Sequence, residues 1–200
     1  MYKNLLIATG NAGKIREMQK LLQDVPLKLH TPHDLGLRLH VDETGDTYQA
    51  NAALKAVAYA KAAGMLALAD DSGLEVDALG GAPGLYSARY APQPKATDAD
   101  RRAYMLENLA PHPQPWGARF RCWVALAAPD GTMNFAEGAC EGQIIPEERG
   151  AGGFGYDPIF FLPELGKTMA ELAMQEKNTL SHRARAVKAA IPLILTQLAS

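Results

Sequence analysis

Apolar positions along this chain switch between a continuous or alternating pattern and a spacing of three to four, and each switch marks an element. Residues 3–8, whose apolar run spans Leu5 to Ala8, predict a buried strand, ending at Thr9-Gly10-Asn11. Ile15, Met18, Leu21 and Leu22 then recur at helical spacing. Residues 28–30 predict a second short strand. A polar loop at 44–47 precedes an alanine-rich helix over 48–63, with Asp46 or Thr47 as its cap and Gly64 after its end. Residues 65–69 predict another buried strand, running into Asp70-Asp71-Ser72-Gly73. A helix is expected over 98–109, capped by Thr97 or Asp98. The proline-rich stretch 112–115 is the expected boundary between two lobes. Residues 119–128 and 133–140 predict a hairpin around Pro129-Asp130-Gly131. A glycine-dense loop follows at 150–155. Helical patterns at 168–176 and 181–198 close the chain, with Pro192 expected to kink the second.

Helices and strands alternate early, while the strands from Arg119 onward read as antiparallel. This predicts an α/β fold with a mixed sheet flanked by helices, residues 1–200 forming one domain of two lobes that share the sheet. Two hundred residues suffice for that, and 48% hydrophobic with 21% charged residues is the balance of a folded protein. A net charge of −2 gives no basic field for a polynucleotide, so any nucleotide must be held by a local cluster of cations. No apolar run reaches membrane-spanning or signal-peptide length. Cys122 and Cys140, the only cysteines, lie in apolar strand-like surroundings and read as buried free thiols, so the expected location is cytoplasmic.

Three places carry candidate chemistry. Thr9-Gly10-Asn11-Ala12-Gly13-Lys14 lies between a strand and a helix, where the first helical N–H groups lack partners and the helix dipole is positive. Glycines admit an anion, and Asn11 and Lys14 add a neutral donor and a charge, which makes a phosphate cradle, although the segment alone reads equally well as a plain glycine turn beside a solvated lysine. It is not a Walker A loop: only Asn11 and Ala12 separate Gly10 from Gly13, and Ile15 follows Lys14.

The second place is Ala69-Asp70-Asp71-Ser72-Gly73. Adjacent strand residues face opposite sides, so Asp70 and Asp71 are expected to do different jobs near the strand's end. Magnesium takes one or two carboxylates plus water and phosphate oxygens, and Asp71 with Glu43, from the acidic segment 42–45, is a candidate pair. A carboxylate so placed can also accept a proton from water. Taken alone, Asp-Ser-Gly is equally ordinary turn chemistry. An aspartyl phosphatase of the haloacid dehalogenase type is disfavoured, because no residue separates the aspartates and no threonine follows them.

The third place is Gly153-Phe154-Gly155-Tyr156-Asp157-Pro158, where flat rings, backbone freedom and a carboxylate suit a stacked nucleobase. Lys177 and Ser181-His182-Arg183 add donors, although Ser181 alone reads equally well as a helix cap.

Taken together these motifs resemble the inosine/xanthosine triphosphate pyrophosphatase family. The resemblance rests on Ala8-Thr9-Gly10-Asn11 with Lys14, Glu43-Thr44-Gly45, Asn51-Ala52 with Lys55, Ala69-Asp70-Asp71-Ser72-Gly73-Leu74, Gly80-Gly81-Ala82-Pro83-Gly84 with Ser87-Ala88-Arg89-Tyr90, Gly153-Phe154-Gly155-Tyr156-Asp157-Pro158, and Ser181-His182-Arg183. It covers nearly the whole chain, with no departure at a position that carries chemistry. It implies an elongated central mixed sheet with two lobes, a nucleotide cleft between them and a homodimer. The implied activity is hydrolysis of non-standard purine nucleoside triphosphates (ITP, dITP, XTP, dXTP) to monophosphate and pyrophosphate, with Mg2+ as cofactor and neither polynucleotide nor membrane as partner. Thr9, Gly10, Asn11, Ala12, Gly13, Lys14 and Lys55 would hold the triphosphate. Asp71 would be general base and metal ligand, Glu43 a second metal ligand, and Ser72 would touch substrate. Phe154, Gly155, Tyr156, Asp157, Lys177, His182 and Arg183 would form the purine pocket. The alternatives are a pyrophosphatase for modified pyrimidine nucleotides and a non-catalytic nucleotide sensor.

Overall fold

The computed structural model describes residues 3–199. Seven strands form one mixed sheet in the order β2-β1-β3-β4-β5-β6-β7: β1 (Lys3–Ile7), β2 (Leu27–His30), β3 (Ala67–Val76), β4 (Trp116–Ala127), β5 (Met133–Ile144), β6 (Phe160–Leu162) and β7 (Lys167–Thr168). β1 runs parallel to β2 and β3, whereas β6 is antiparallel to both β5 and β7. Among the described residues five α-helices accompany them: α1 (Ala12–Leu21), α2 (Tyr48–Ala63), α3 (Asp98–Leu109), α4 (Met174–Leu180) and α5 (His182–Ala199).

The chain forms two compact units. The first comprises residues up to Ser72, Cys122–Gly138 and the chain from His182; the second comprises Gly73–Arg121 and Ala139–Ser181. The divisions fall inside β3, β4 and β5, not at residues 112–115. That proline-rich segment belongs to the second unit, where the Trp116 indole N–H donates to the His112 carbonyl at 3.0 Å.

The side-chain period of two organises the first unit. Leu5, Ile7, Leu68, Cys122, Val124 and Leu126 share one core cluster with Met18 of α1 and Val187 and Ile194 of α5. Leu6, Ala8, Ala67, Ala69, Ala125 and Ala127 belong to another with Ala52, Ala56, Tyr59 and Ala60 of α2. Large residues therefore fill the α1/α5 side of the sheet. On the α2 side alanine meets alanine, and the helix lies close. The second unit has its own core, in which Leu74, Met105, Leu109, Trp116, Phe120, Ile159 and Phe160 are all buried.

Several elements differ from their sequence patterns. β3 does not end at Ala69 but continues through Asp70-Asp71-Ser72-Gly73 to Val76, because its sheet neighbours satisfy the backbone that a turn would otherwise have paired. Residues 168–176 form no single helix. The Glu171 carboxylate accepts from the Thr168 N–H and closes a single 3-10 turn over Met169–Glu171, and Glu176 does the same for Ala173 at the start of α4. α5 runs on through Pro192 to Ala199. Cys122 and Cys140 are both buried. Among the described residues no helix is long and apolar enough to cross a membrane.

Candidate active site

The glycine turn between β1 and α1 has the expected form. Asn11 is the cap of α1: its side-chain oxygen accepts from the Lys14 N–H at 3.1 Å, and its own N–H donates to Thr9 Oγ at 3.2 Å. The Asn11 side-chain oxygen is thus engaged in the cap, and the NH2 group of the same amide is the part that can donate. Gly10, Asn11 and Ala12 are exposed, and Ala12 and Gly13 open the helix, where N–H groups have no intrahelical acceptor. The Lys14 ammonium lies 3.0 Å from Asp70.

Strand alternation decides what each aspartate meets. Asp70 is in step with Leu68, so it emerges on the side covered by α1 and α5, while Asp71 follows Ala67 and Ala69 on the α2 side. Asp70 is buried completely and contacts Lys14 of α1 and the Arg183 Nε, which donates to it at 3.0 Å. Burial alone would push its carboxyl up, but Lys14, Arg183 and Lys55 outweigh that and hold its pKa well below the usual carboxylate range. Asp71 meets α2 instead: Lys55 Nζ lies at 3.2 Å and the Asn51 amide donates at 3.4 Å. Burial wins over the neighbouring Lys55 and Lys14 here, with Glu43 adding repulsion, so Asp71 is a stronger base than an ordinary aspartate. Two adjacent residues thus have opposite electrostatics.

Glu43 reaches the same place. Its carboxylate accepts from Lys55 Nζ at 2.5 Å, and its loop is tied to α2 by the Gly45 N–H, which donates to Asn51 Oδ1 at 2.8 Å. Asn51 therefore fixes Asp71 and the Glu43 loop from one side chain. A single ammonium bridges Glu43 and Asp71, which means the two carboxylates converge on one cation. Among the described residues no group of three or more His, Cys, Asp or Glu gathers to hold a metal. Two carboxylates that converge on one cation suit magnesium, which needs few protein ligands because it keeps waters and takes phosphate oxygens from its substrate.

Arg183 differs most from its sequence reading. Expected to present donors to a base, its guanidinium is instead buried within the first unit. Nη1 donates to Glu17 at 2.6 Å, Nε to Asp70 and Nη2 to Ser72 Oγ at 2.9 Å. The charge of Asp70 and Glu17 draws it there, and burial without them would be prohibitive. His182, buried beside it, opens α5. Gly138 on β5 permits this: a Cβ there would collide with the His182 carbonyl and the Ala186 N–H.

In the second unit Asp157 and Lys177 are a buried pair, with Lys177 Nζ donating at 2.6 Å. The same carboxylate oxygen accepts from the Phe154 N–H at 2.9 Å, and the Lys177 ammonium lies over the Phe154 ring, 5.2 Å from its centroid. The Tyr156 hydroxyl donates to the Ser87 carbonyl at 2.8 Å. Phe154, Asp157 and Lys177 thus form one assembly, while the Tyr156 hydroxyl is engaged with the protein.

Glu17 was absent from the sequence reading, while Asp70 and Asn51 entered it without a named role. Glu17 left a signal: it stands one turn after Lys14 and one before Leu21, a second charge on a helical stripe that runs into the apolar face.

The profile of the Ham1 family matches residues 5–193 of the chain. The chain is 48% identical to the dITP/XTP pyrophosphatase of Desulforamulus reducens over 191 residues, covering 95% of this chain and 94% of that one. It is 49% identical over 186 residues to a protein of the same description from Thermus thermophilus, covering 92% and 88%. A solved HAM1 protein from Coxiella burnetii superposes with a TM-score of 0.86 at 41% identity, covering 97% of this chain and 99% of its own. With matches of this extent, on top of the motifs and geometry above, the chain belongs to the Ham1 family.

Proposed function

We infer that the chain hydrolyses non-standard purine nucleoside triphosphates, the ribo- and deoxy forms of ITP and XTP, to the monophosphate and pyrophosphate. The observation that carries this reading is the pairing of Asp71 and Glu43 on one ammonium, on a strand whose neighbouring Asp70 holds Lys14 of the glycine turn. Relatives described as dITP/XTP pyrophosphatases support it.

Water attacks the α-phosphorus while pyrophosphate leaves, so positioning and charge neutralisation dominate the chemistry. The helical N–H groups after Gly10, with Lys14 and Lys55, bind the phosphates and offset charge on the leaving group. Asp71, made more basic by burial, orients the water and takes its proton. Asp71 and Glu43 would hold Mg2+, which when bound supplies positive charge to the phosphate oxygens. Ser72, kept in place by Arg183, touches substrate. Phe154, Gly155, Tyr156, Asp157 and Lys177 receive the purine: the Phe154 ring stacks on the base, and Lys177 offers donors. Arg183 acts through Asp70 and Ser72.

Inosine and xanthosine present a 6-keto acceptor to such donors, where adenine presents an amino group. Leaving a buried polar group unpaired costs about 1–3 kcal/mol, so ITP and XTP are expected to be turned over about 10- to 100-fold faster than ATP. A pyrophosphate-release panel over ITP, XTP, ATP, GTP and modified pyrimidine nucleotides, with and without magnesium, tests this. Similar rates on all of them would refute the purine selectivity, and preference for a pyrimidine would favour the alternative substrate class. Tight binding without magnesium-dependent release would mark a sensor.

A further inference from the structure

Gly155 is held in an unusual way. It lies between Phe154 and Tyr156 at φ 62°, a conformation that only glycine adopts freely. Both of its polar backbone atoms are taken by side chains of one helix, α3. Its N–H donates to Asp98 Oδ2 at 2.7 Å, and its carbonyl accepts from Arg102 Nη1 at 2.8 Å. Asp98 and Arg102 are four residues apart and so project from the same side of α3. Arg102 is itself fixed by a two-pronged pair with Glu148, at 2.8 and 2.9 Å. The other oxygen of Asp98 pairs with Arg101. Neither residue is needed to start the helix, since Thr97 caps α3 and forms a capping box with Asp100.

We propose that Asp98 and Arg102 are positioning residues which lock the Phe154–Asp157 loop in its binding-competent shape and thereby set the affinity for the purine. This rests on the reading that the loop receives the base. A glycine released from either contact regains backbone conformations that the two together exclude, and ligand affinity falls in proportion to the fraction of time the loop is competent. The effect is confined to the base: the phosphates, bound by the glycine turn, do not report it.

The test is Arg102→Met, which keeps an unbranched apolar stem like that of arginine and removes its donors. KM for ITP is expected to rise about ten-fold with kcat changed less than about three-fold, which corresponds to a competent fraction near one tenth. The dissociation constant of inorganic tripolyphosphate, a probe without a base, is expected to stay within about two-fold of the parent. Arg102→Lys, which retains one donor, is expected to recover part of the loss. Should Arg102→Met not fold, Asp98→Ala carries the same expectation, because the Thr97 cap remains. An unchanged KM, or equal weakening of ITP and tripolyphosphate, overturns the proposal. Phe154→Ala separates the two claims. If it raises the KM for ITP while Arg102→Met does not, the clamp alone fails; if it leaves the KM for ITP unchanged, the base-binding role of the loop fails and the clamp falls with it.

Discussion

Asp71→Asn is expected to lower kcat by a factor on the order of 10²–10⁴, the range a positioned general base contributes, while ITP still binds. The substitution keeps the shape of the side chain, its place on the α2 side of β3 and an oxygen for the Asn51 amide. It removes the proton acceptor and one of the two carboxylates paired with Lys55. The glycine turn and Lys14 are untouched, so binding should persist. Stability should not suffer. Burial holds the Asp71 pKa above its ordinary 3.8 in the folded state, so the folded protein favours its neutral form. The sign follows: ionised Asp71 weakens the fold as pH rises through that window, and a neutral asparagine lifts the penalty at neutral pH. The variant should therefore melt no lower than the parent. Turnover equal to the parent's in single-turnover assays would remove Asp71 from the role.

Asp70→Asn is expected to do the reverse, costing about 3–5 kcal/mol of stability, the loss typical of breaking a buried ion pair. The Asp70 carboxylate is fully buried against Lys14 and Arg183, and in the variant Arg183 would keep Glu17, 2.6 Å away, but lose the charge beside its Nε. Here the folded-state pKa is depressed below the ordinary 3.8, so the contribution is present above that value and is lost as pH falls through the folded one. The stability gap between parent and variant in urea titrations should be constant over about pH 5 to 8 and close in stronger acid. A gap that widens on acidification, or a variant as stable as the parent at neutral pH, would contradict the assignment. Adjacent aspartates that move stability in opposite directions would separate a functional carboxylate from a structural one.

Much of this was legible in the sequence because it is local. The strand, glycine turn and helix around Lys14 follow from apolar spacing and helix-end chemistry, and the division of labour between Asp70 and Asp71 follows from the period of a strand. The end of β3 departs from its pattern because Asp-Ser-Gly is a turn signal that a continuous sheet overrides. Over residues 168–176, Met169 and Leu172 keep a helical spacing, yet Thr168 with Glu171 and Ala173 with Glu176 each close their own turn. What local pattern does not carry is long-range pairing. Arg183 finds Asp70 and Glu17 at separations of 113 and 166 residues, and the cap-like Asp98 finds Gly155 at a separation of 57. Nothing near those residues announces such partners; for Arg183, Asp70 and Glu17, burial as charged groups is the trace they leave, and it is visible only once the chain is folded.

Where water enters the substrate is the most direct test. ITP is hydrolysed to completion in 18O-enriched water with magnesium, and the products are separated and weighed by mass spectrometry. Attack at the α-phosphorus, with Asp71 as the base, places one 18O in the monophosphate and none in the pyrophosphate. Label in the pyrophosphate, or release of orthophosphate in its place, would contradict the account.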